Sequence, residues 1–107
     1  MPNWDAVMKE AKRLENMLRR AKIDLNEAEK ALGYYLFKGY DEEAMARYLK
    51  EMANNPPPRS HRTQNYYREL SRIWQEWSRQ CPLQGVDKAR AWGWGIKMAT
   101  GNVRGMH

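Results

Sequence analysis

The 107-residue sequence has a single cysteine, two histidines, one phenylalanine and no long apolar run. Cys81 alone cannot form a disulfide within the chain. A membrane span needs about 20 consecutive apolar residues, and no stretch approaches that length. The N-terminal region carries Asp5 and Glu10 within an amphipathic pattern, unlike the uninterrupted apolar segment of a signal peptide. These absences predict a soluble, cytoplasmic protein without a membrane partner.

Residues that commonly act in catalysis or bind metals are equally scarce. His61 and His107, taken together with Cys81, lack the spacing of metal ligands. The sequence contains no recognisable Ser/His/Asp arrangement, phosphate-binding glycine loop or HExxH pattern. Cys81 lies beside Pro82 and is interpreted as a structural thiol rather than a nucleophile. We therefore expect a noncatalytic protein that uses neither a cofactor nor a metal.

Positive charge and tryptophan are concentrated in the second half of the chain. Residues 1–55 carry ten Lys/Arg and ten Asp/Glu, whereas residues 56–107 carry nine Lys/Arg and three Asp/Glu. The whole net charge of +6 therefore lies in the second half, together with four of the five tryptophans. Arginines neutralise phosphates and aromatic rings can stack on bases. This composition is typical of a surface that binds a nucleic-acid backbone.

The spacing of apolar residues predicts helices. From Trp4 to Tyr35 the apolar residues follow steps of three and four, a heptad pattern about five repeats long. The positions are Trp4, Val7, Ala11, Leu14, Leu18, Ala21, Leu25, Ala28, Leu32 and Tyr35. One long helix is favoured, with a possible break at residues 22–26, because Asn26 and Glu29 could form a capping box. The stripe would pack against the second half of the chain or against a second copy.

A further helix is expected after the heptad region. Gly39 is placed to end the preceding helix in a left-handed cap, and Asp41 to cap the new one, with Glu42 and Glu43 near its N-terminal dipole. The predicted core residues of this segment are Ala44, Met45, Tyr48, Leu49 and Met52. Prolines at 56–58 then end the helical pattern, because they remove backbone donors and restrict the preceding residues.

The sequence as a whole predicts an all-α fold, a single-domain helical bundle of about five helices with a long N-terminal helix. Its expected parts are a charge-balanced scaffold at 1–55, a stiff Pro-rich connector at 56–62, basic, Trp-rich helices at 63–99 and a flexible tail at 100–107. Ser60 or Thr63 is predicted to cap a helix that reaches about Arg79, and Asp87 to cap a last helix that reaches about Ala99.

The helix predicted at 63–79 has one apolar and one basic face. The apolar stripe is Tyr66, Leu70, Ile73 and Trp77, with Trp74 on its flank. The opposite face has Asn65, Arg68, Arg72, Gln75 and Arg79, with Arg62 just ahead of it. Arginines one turn apart can contact successive phosphates of a single-stranded RNA or DNA. Because Glu69 and Glu76 lie off this row, the arginines are expected to lack intrahelical partners, which favours an external one. A solvated face with scattered salt bridges is the alternative.

The predicted last helix contains a tryptophan that its core stripe does not use. The stripe is Ala89, Trp92, Ile96 and Ala99. Trp94 lies elsewhere on the helix, with Arg90 four residues before it and Lys97 three after, so it could stack a base or a guanidinium, or could simply be packed. Gly93 and Gly95 each lower helix propensity by about 1 kcal/mol relative to Ala. Both glycines predict a close backbone approach by a helix, a neighbouring subunit or a nucleic-acid strand.

Part of the chain resembles a known family. The stretch DEEAMARYLKEMANN, a loop and then RTQNYYRELSRI at 62–73 are similar to the small, all-helical subunit of type III CRISPR effector complexes. The residues that carry the likeness are Thr63, Gln64, Tyr66, Tyr67, Arg68 and Glu69. Residues 88–91 faintly echo the C-terminal part of that family. Asn65 stands where the family usually has a basic residue, and neither the triple proline nor WGWG at 92–95 belongs to its pattern. The resemblance covers about a third of the chain.

The resemblance implies a noncatalytic subunit that lines the path of the guide and target strands. Its partners would be single-stranded RNA or DNA, other effector subunits and further copies of itself. Residue matching indicates phosphate contacts at Arg62, Arg68 and Arg72. The helical wheel alone adds Arg79, Arg90, Lys97 and Trp94 as candidate nucleic-acid contacts.

Two other functions remain open at this point. One is a coiled-coil-like structural or oligomerisation protein, organised by the heptads and without nucleic-acid binding. The other is a small helical DNA-binding regulator. A helix-turn-helix joins its helices by a short turn, so the Pro-rich connector disfavours the regulator.

Overall fold

A computed structural model of the protein describes residues 3–55 and 61–101, and the side chains of these ranges except at 61–63. Its helices are α1 Trp4–Ala21, α2 Leu25–Phe37, α3 Glu42–Asn54, α4 His61–Gln80 and α5 Gly85–Thr100. These ranges contain no strand, and none of their helices has the length and apolar character to cross a membrane. The prediction of an all-α bundle of about five helices is confirmed. The prolines of the predicted connector, the predicted Ser60 cap and most of the predicted tail lie outside the described residues.

The heptad region forms two helices. α1 has 18 residues and is the long N-terminal helix, but it ends at Ala21, where Lys22 adopts a left-handed backbone with φ 54°. Asp24 then caps α2 by accepting a hydrogen bond of 2.9 Å from the backbone N–H of Asn26. The prediction of one continuous helix from Trp4 to Tyr35 is therefore wrong. The chain turns within residues 22–26, the segment that the sequence analysis gave as a possible break. Asn26 is not the cap, because the Asp24 carboxylate already occupies that position.

The caps around the turn between α2 and α3 are those expected from the sequence. Gly39 has φ 64°, and its N–H bonds to the carbonyl of Leu36. The N–H of Tyr40 bonds to the carbonyl of Tyr35, which completes a Schellman motif. Asp41 accepts a hydrogen bond of 3.0 Å from the backbone N–H of Ala44 and caps α3.

Two other predicted caps are wrong. Thr63 lies inside α4, which begins at His61, so the helix takes in the end of the predicted connector. Asp87 lies in the first turn of α5 rather than at its cap, because the helix begins at Gly85 after Gln84. Gln84 forms no side-chain capping hydrogen bond.

All five helices contribute to one hydrophobic core. The buried side chains of α4 are Tyr67, Leu70, Ile73, Trp74 and Trp77. Tyr67 thus occupies the first core position, and the prediction of Tyr66 is wrong by one residue, since Tyr66 is only partly buried. In the heptad stripe, Trp4 is 49% exposed, although its spacing assigned it to the core. α1 begins at that residue, so little of the fold covers it.

Buried tryptophans connect the second half of the chain to the first. The indole Nε1 of Trp77 donates to the carbonyl of Glu10 at 2.9 Å, and that of Trp92 donates to the carbonyl of Ala28 at 3.1 Å. With Trp74 they form a ring cluster whose centroids lie 5.2–6.1 Å apart. The hydrogen bonds satisfy the indoles of Trp77 and Trp92, and the Trp74 ring is buried beside them. Three of the four tryptophans of the basic half are therefore structural.

Gly93 and Gly95 of α5 have different surroundings. α5 packs more extensively against α1 than any other two helices pack together. A Cβ at Gly95 would lie 2.6 Å from Leu14 Cδ2 and 3.0 Å from the carbonyl oxygen of Ala11. The predicted close approach is confirmed there, and the neighbour is α1. A Cβ at Gly93 would meet only Leu32 Cδ2, at 3.4 Å, which is an ordinary contact.

Candidate nucleic-acid interface

The arginine face of α4 consists of Asn65, Arg68, Arg72, Gln75 and Arg79, all exposed to solvent. The opposite side of the helix is buried in the core, so the orientation of this face is fixed by Leu70, Ile73 and Trp77. Along the helix axis, Arg68 and Arg79 are separated by about 16.5 Å, at 1.5 Å per residue. The side chain of Arg62, the predicted start of the row, lies outside the described part of the chain.

Arg72 is paired within its own helix. Its Nη2 lies 2.6 Å from Glu69 Oε2, and its Nη1 lies 3.1 Å from Glu76 Oε2. The hydrogen bond to Glu69 is the main reason that the pKa of Arg72 is raised. The expectation that the arginines lack intrahelical partners is therefore wrong for Arg72, because Glu69 at i−3 and Glu76 at i+4 both reach it. Exposed pairs of this kind contribute only about 0.3–0.5 kcal/mol, so a phosphate can compete for the guanidinium.

Arg68 and Arg79 differ from Arg72. Neither forms a salt bridge or hydrogen bond with any residue that the structure describes. Both guanidiniums extend into solvent on the same face as Arg72. Among the described residues, Arg72 is therefore held by carboxylates, and it lies between two unpaired cations, Arg68 and Arg79.

Arg90, Lys97 and Trp94 do not join the arginine face. Lys97 Nζ lies 5.2 Å from the centroid of the Trp94 ring, as the spacing suggested. Arg90 instead bonds to Asp87 at 2.8 Å and lies 5.9 Å from the ring of Trp4. Trp94 is thus not flanked by two cations, and its side chain is partly buried.

These three α5 residues line a groove against α2, with no α4 residue among its lining. This α2/α5 groove has a volume of about 430 Å³ and is lined by Leu32 and Leu36 of α2 and by Val86, Ala89, Arg90, Gly93, Trp94 and Lys97 of α5. Large apolar side chains are exposed along it, with Leu36 at 48% and Val86 at 44%. The groove is mostly apolar, in contrast to the arginine face.

A second cavity, of about 470 Å³, is lined by an acid and a base, Glu42 and Lys88, that the sequence analysis did not connect. Lys88 is buried and lies 2.5 Å from the half-exposed carboxylate of Glu42, with its ammonium 4.5 Å from the ring of Trp74. The hydroxyl of Tyr35 donates to the same carboxylate. The pair neutralises itself, which explains how a lysine can be buried here. Lys88 and Glu42 are 46 positions apart, and no periodic pattern connects them.

Two groups in or beside this cavity have raised pKa values. Burial raises the pKa of the Cys81 thiol, so the reactive thiolate is disfavoured at neutral pH. Burial, followed by the hydrogen bond to Glu42, raises the pKa of Tyr35. Within residues 3–55 and 61–101, no cluster of three or more His, Cys, Asp or Glu residues could hold a metal ion.

Comparison of the chain with known protein families, curated proteins and solved structures found no match. The likeness to the CRISPR small subunit therefore rests on the sequence at 41–55, 62–73 and 88–91 alone.

Proposed function

We propose that this protein is a noncatalytic, cytoplasmic nucleic-acid-binding subunit that contacts the backbone of a single strand through the arginine face of α4. In its most specific form, the proposal is the small subunit of an RNA-guided CRISPR effector complex, bound to the guide or target strand. The observation that carries it is the pair Arg68 and Arg79, exposed and unpaired among the described residues on a helix whose other side is buried.

The electrostatic balance of α4 favours an anionic partner. The helix contains four arginines, Arg62, Arg68, Arg72 and Arg79, and two glutamates, so its formal charge is +2. An exposed guanidinium without a carboxylate neighbour is free to make bidentate contacts with a phosphate. The face has no exposed aromatic ring on which bases could stack. Binding of this kind depends on charge and only weakly on base sequence.

The residues that carry the family likeness divide between the core and the surface. Tyr67 is fully buried, with its hydroxyl 3.3 Å from that of Tyr48, whereas Arg68 is exposed. Glu69 is engaged with Arg72. The motif therefore contains one residue that holds α4 in place and one that is available to a partner, as a nucleic-acid-binding subunit requires.

The test is a salt titration of binding to a fluorescently labelled single-stranded RNA of about 40 nucleotides, followed by anisotropy. We expect binding at low salt, with the logarithm of the association constant falling by about 0.7 per phosphate contact for each tenfold increase in salt. Three arginine contacts give a slope of about −2. The double variant Arg68→Glu with Arg79→Glu should reduce both the affinity and the slope.

A matched control changes the charge by the same amount elsewhere. Lys9 and Lys50 are exposed residues of α1 and α3 with no ion pair among the described residues. Lys9→Glu with Lys50→Glu should weaken binding less than the α4 variant does. Equal effects of the two variants would mean that the overall charge, and not the arginine face, attracts the RNA. Absence of binding at low salt would reject direct recognition by the isolated protein.

The membership in an effector complex requires its own experiment. A tagged protein expressed in its native host should copurify with a guide RNA and with larger protein partners. The Arg68→Glu, Arg79→Glu variant should lose RNA crosslinks at α4. Recovery of the protein without any RNA would contradict the CRISPR proposal, and the salt titration would still decide whether the arginine face binds nucleic acid.

A second function is favoured by one observation. The contacts of Arg72 with Glu69 and Glu76 are those of a solvated helix surface stabilised by its own salt bridges. In that case the protein is a structural or oligomerisation module without nucleic-acid binding. The same titration distinguishes the two functions, because the structural module shows no RNA binding at any salt concentration.

A further inference from the structure

The α2/α5 groove concentrates exposed apolar side chains in one region of the surface. Of the exposed large hydrophobic residues in the described ranges, Leu36 and Val86 line it. Phe37, which is 82% exposed, follows Leu36 directly in the chain. Trp4 lies over Arg90, which also lines the groove. Exposed apolar side chains concentrated in one groove are characteristic of an interaction site.

The groove has the dimensions of a helix-binding site. On α5 it runs from Val86 to Lys97, a length of about 16.5 Å or three helical turns. Gly93 lies in the middle of this stretch, and the absence of a side chain there leaves room above Leu32. An apolar groove along three turns of α5, flanked by Leu32 and Leu36 of α2, can accept the apolar face of a third helix with contacts at i, i+4 and i+7.

The charge of the groove indicates the character of its occupant. Arg90 and Lys97 are the charged residues among the described residues that line it, and both are cations. Lys97 is exposed, and its ammonium lies 5.2 Å from the centroid of the Trp94 ring. A second copy of this chain, with its own net charge of +6, would bring like charges together. A nucleic-acid strand would find side-chain donors in this lining only at Arg90, Lys97 and Trp94, and the remaining lining residues are apolar and offer its hydrated phosphates nothing in exchange.

We propose that the α2/α5 groove is a docking site for an acidic amphipathic helix of a partner protein. Apolar side chains of that helix lie on Leu36, Gly93 and Trp94. Its carboxylates pair with Lys97 and compete with Asp87 for Arg90. The proposal is independent of the arginine face of α4. It removes Arg90, Lys97 and Trp94 from the candidate nucleic-acid contacts and assigns them to protein recognition.

The probe is a fluorescently labelled, synthetic amphipathic peptide of about 14 residues. It has leucines at i, i+4 and i+7 with glutamates beside them, and it is prepared in three versions that differ in the register of the leucine stripe. Two control peptides replace the glutamates by lysines or the leucines by alanines. Anisotropy should show saturable binding of at least one acidic peptide, at least tenfold tighter than its lysine and alanine counterparts. The indole NMR signal of Trp94 should shift on binding.

Two variants of the protein locate the site. Gly93→Leu places a side chain in the groove and should weaken peptide binding at least tenfold, whereas Gly33→Leu, at an exposed glycine of α2 with open space around it, should leave binding unchanged. Arg90→Gln with Lys97→Gln should weaken binding of the acidic peptide about tenfold. Lys9→Gln with Lys50→Gln removes the same charge elsewhere and should have little effect. Circular dichroism of every variant shows whether it is folded, and the charge variant keeps the test valid should Gly93→Leu unfold.

Four results would overturn the proposal. They are equal binding of the acidic and lysine peptides, no binding of any acidic peptide in the three registers, binding that survives both groove variants, and sedimentation showing a dimer that Gly93→Leu dissociates. The last result would assign the groove to a second copy. The Arg68→Glu, Arg79→Glu variant should retain peptide binding, so a failure here is separate from a failure of RNA binding at α4.

Discussion

The solvent-facing sides of α4 and α5 differ although both belong to the basic half of the chain. On α4 the exposed row contains arginines and amides, and every large apolar side chain of the helix from Tyr67 onward faces the core. On α5 the cations Arg90 and Lys97 lie among apolar residues beside α2. The same charge is thus placed on a polar ridge in one helix and in an apolar groove in the other.

This difference teaches that the neighbours of a cation decide what it can bind. A guanidinium surrounded by solvent favours a phosphate, because the partner can remain hydrated around the contact. A cation beside an apolar groove favours a partner that brings both apolar surface and a carboxylate. The following predictions alter the two helices in parallel, from the largest expected effect to the smallest.

The largest difference between α4 and α5 is expected when one tryptophan on each helix is replaced and the free energy of unfolding is compared. Trp77→Ala on α4 removes a fully buried ring and its hydrogen bond to Glu10, and should lower the free energy of unfolding by about 3–5 kcal/mol. Trp94→Ala on α5 should cost less, about 1–3 kcal/mol, because its ring packs against the core but is partly exposed in the groove. Urea denaturation measures both. A similar loss for the two variants would mean that Trp94 belongs to the core.

Gly93 and Gly95 of α5 should respond to alanine in opposite directions. Gly95→Ala places a Cβ against Leu14 and the carbonyl of Ala11, and should destabilise the fold by about 1–2 kcal/mol after the gain in helix propensity. Gly93→Ala meets only an ordinary contact and should stabilise it by about 0.5–1 kcal/mol. Thermal unfolding of the pair is the measurement. Stabilisation by Gly95→Ala would show that α1 and α5 are not in close contact.

Alkaline pH should destabilise the fold through two buried tyrosines. Burial, and then the neighbouring Glu27, raises the pKa of Tyr67 on α4 above its ordinary value of 10.0, and burial with Glu42 does the same for Tyr35 near the α5 lysine. Because the unfolded chain releases these protons first, the stability that they contribute is present below pH 10 and is lost as the pH rises above it. We expect a loss of about 1.4 kcal/mol per pH unit for each tyrosine.

The phenylalanine variants assign that loss to one helix or the other. Tyr67→Phe and Tyr35→Phe should each make the dependence of the unfolding free energy on pH less steep between about pH 10 and 11. Denaturant titrations at several pH values, with Tyr40→Phe as the exposed control, give the slopes. A slope that neither substitution changes would place the alkaline transition elsewhere.

The smallest effect is expected on the arginine face itself. Glu69→Gln with Glu76→Gln releases Arg72 from its carboxylates, and should change stability by no more than about 0.5 kcal/mol. RNA binding should strengthen severalfold, because a phosphate no longer has to displace the carboxylates from Arg72, and the salt slope should stay at about −2. Glu29→Gln with Glu51→Gln removes the same charge from exposed positions of α2 and α3. If both pairs strengthen binding equally, Arg72 does not contact the strand.

The sequence predicted the presence of the helices and two of the expected caps, because these depend on nearby residues. Gly39 and Asp41 act as expected since a left-handed cap and a carboxylate N-cap are determined within a few positions. The continuous heptad helix was wrong because apolar spacing persists across a turn that Lys22 and Asp24 introduce. Spacing alone does not distinguish one long helix from two helices that share a stripe.

The surfaces could be predicted only in part. Exposure of the arginine row follows from the helical wheel, but the pairing of Arg72 with Glu69 and Glu76 depends on rotamers that the wheel does not contain. The α2/α5 groove and the pair of Lys88 with Glu42 join residues far apart in the chain, and periodicity carries no information on which helices become neighbours. Whether the arginine face binds nucleic acid stays a prediction.

The close packing of Gly95 on α1 also bears on the order in which the chain can fold during synthesis. Leu14 and Gly95 are 81 positions apart, and α1 has its most extensive contact with α5, the last of the described helices. Until α5 leaves the ribosome, the apolar stripe of α1 lacks the surface that covers it. The chain between Leu14 and Gly95 must then close into a loop before that contact stabilises the fold. Nascent chains that lack α5 should therefore expose Leu14 and bind chaperones, which makes completion of α5 the step that commits the protein to its native state.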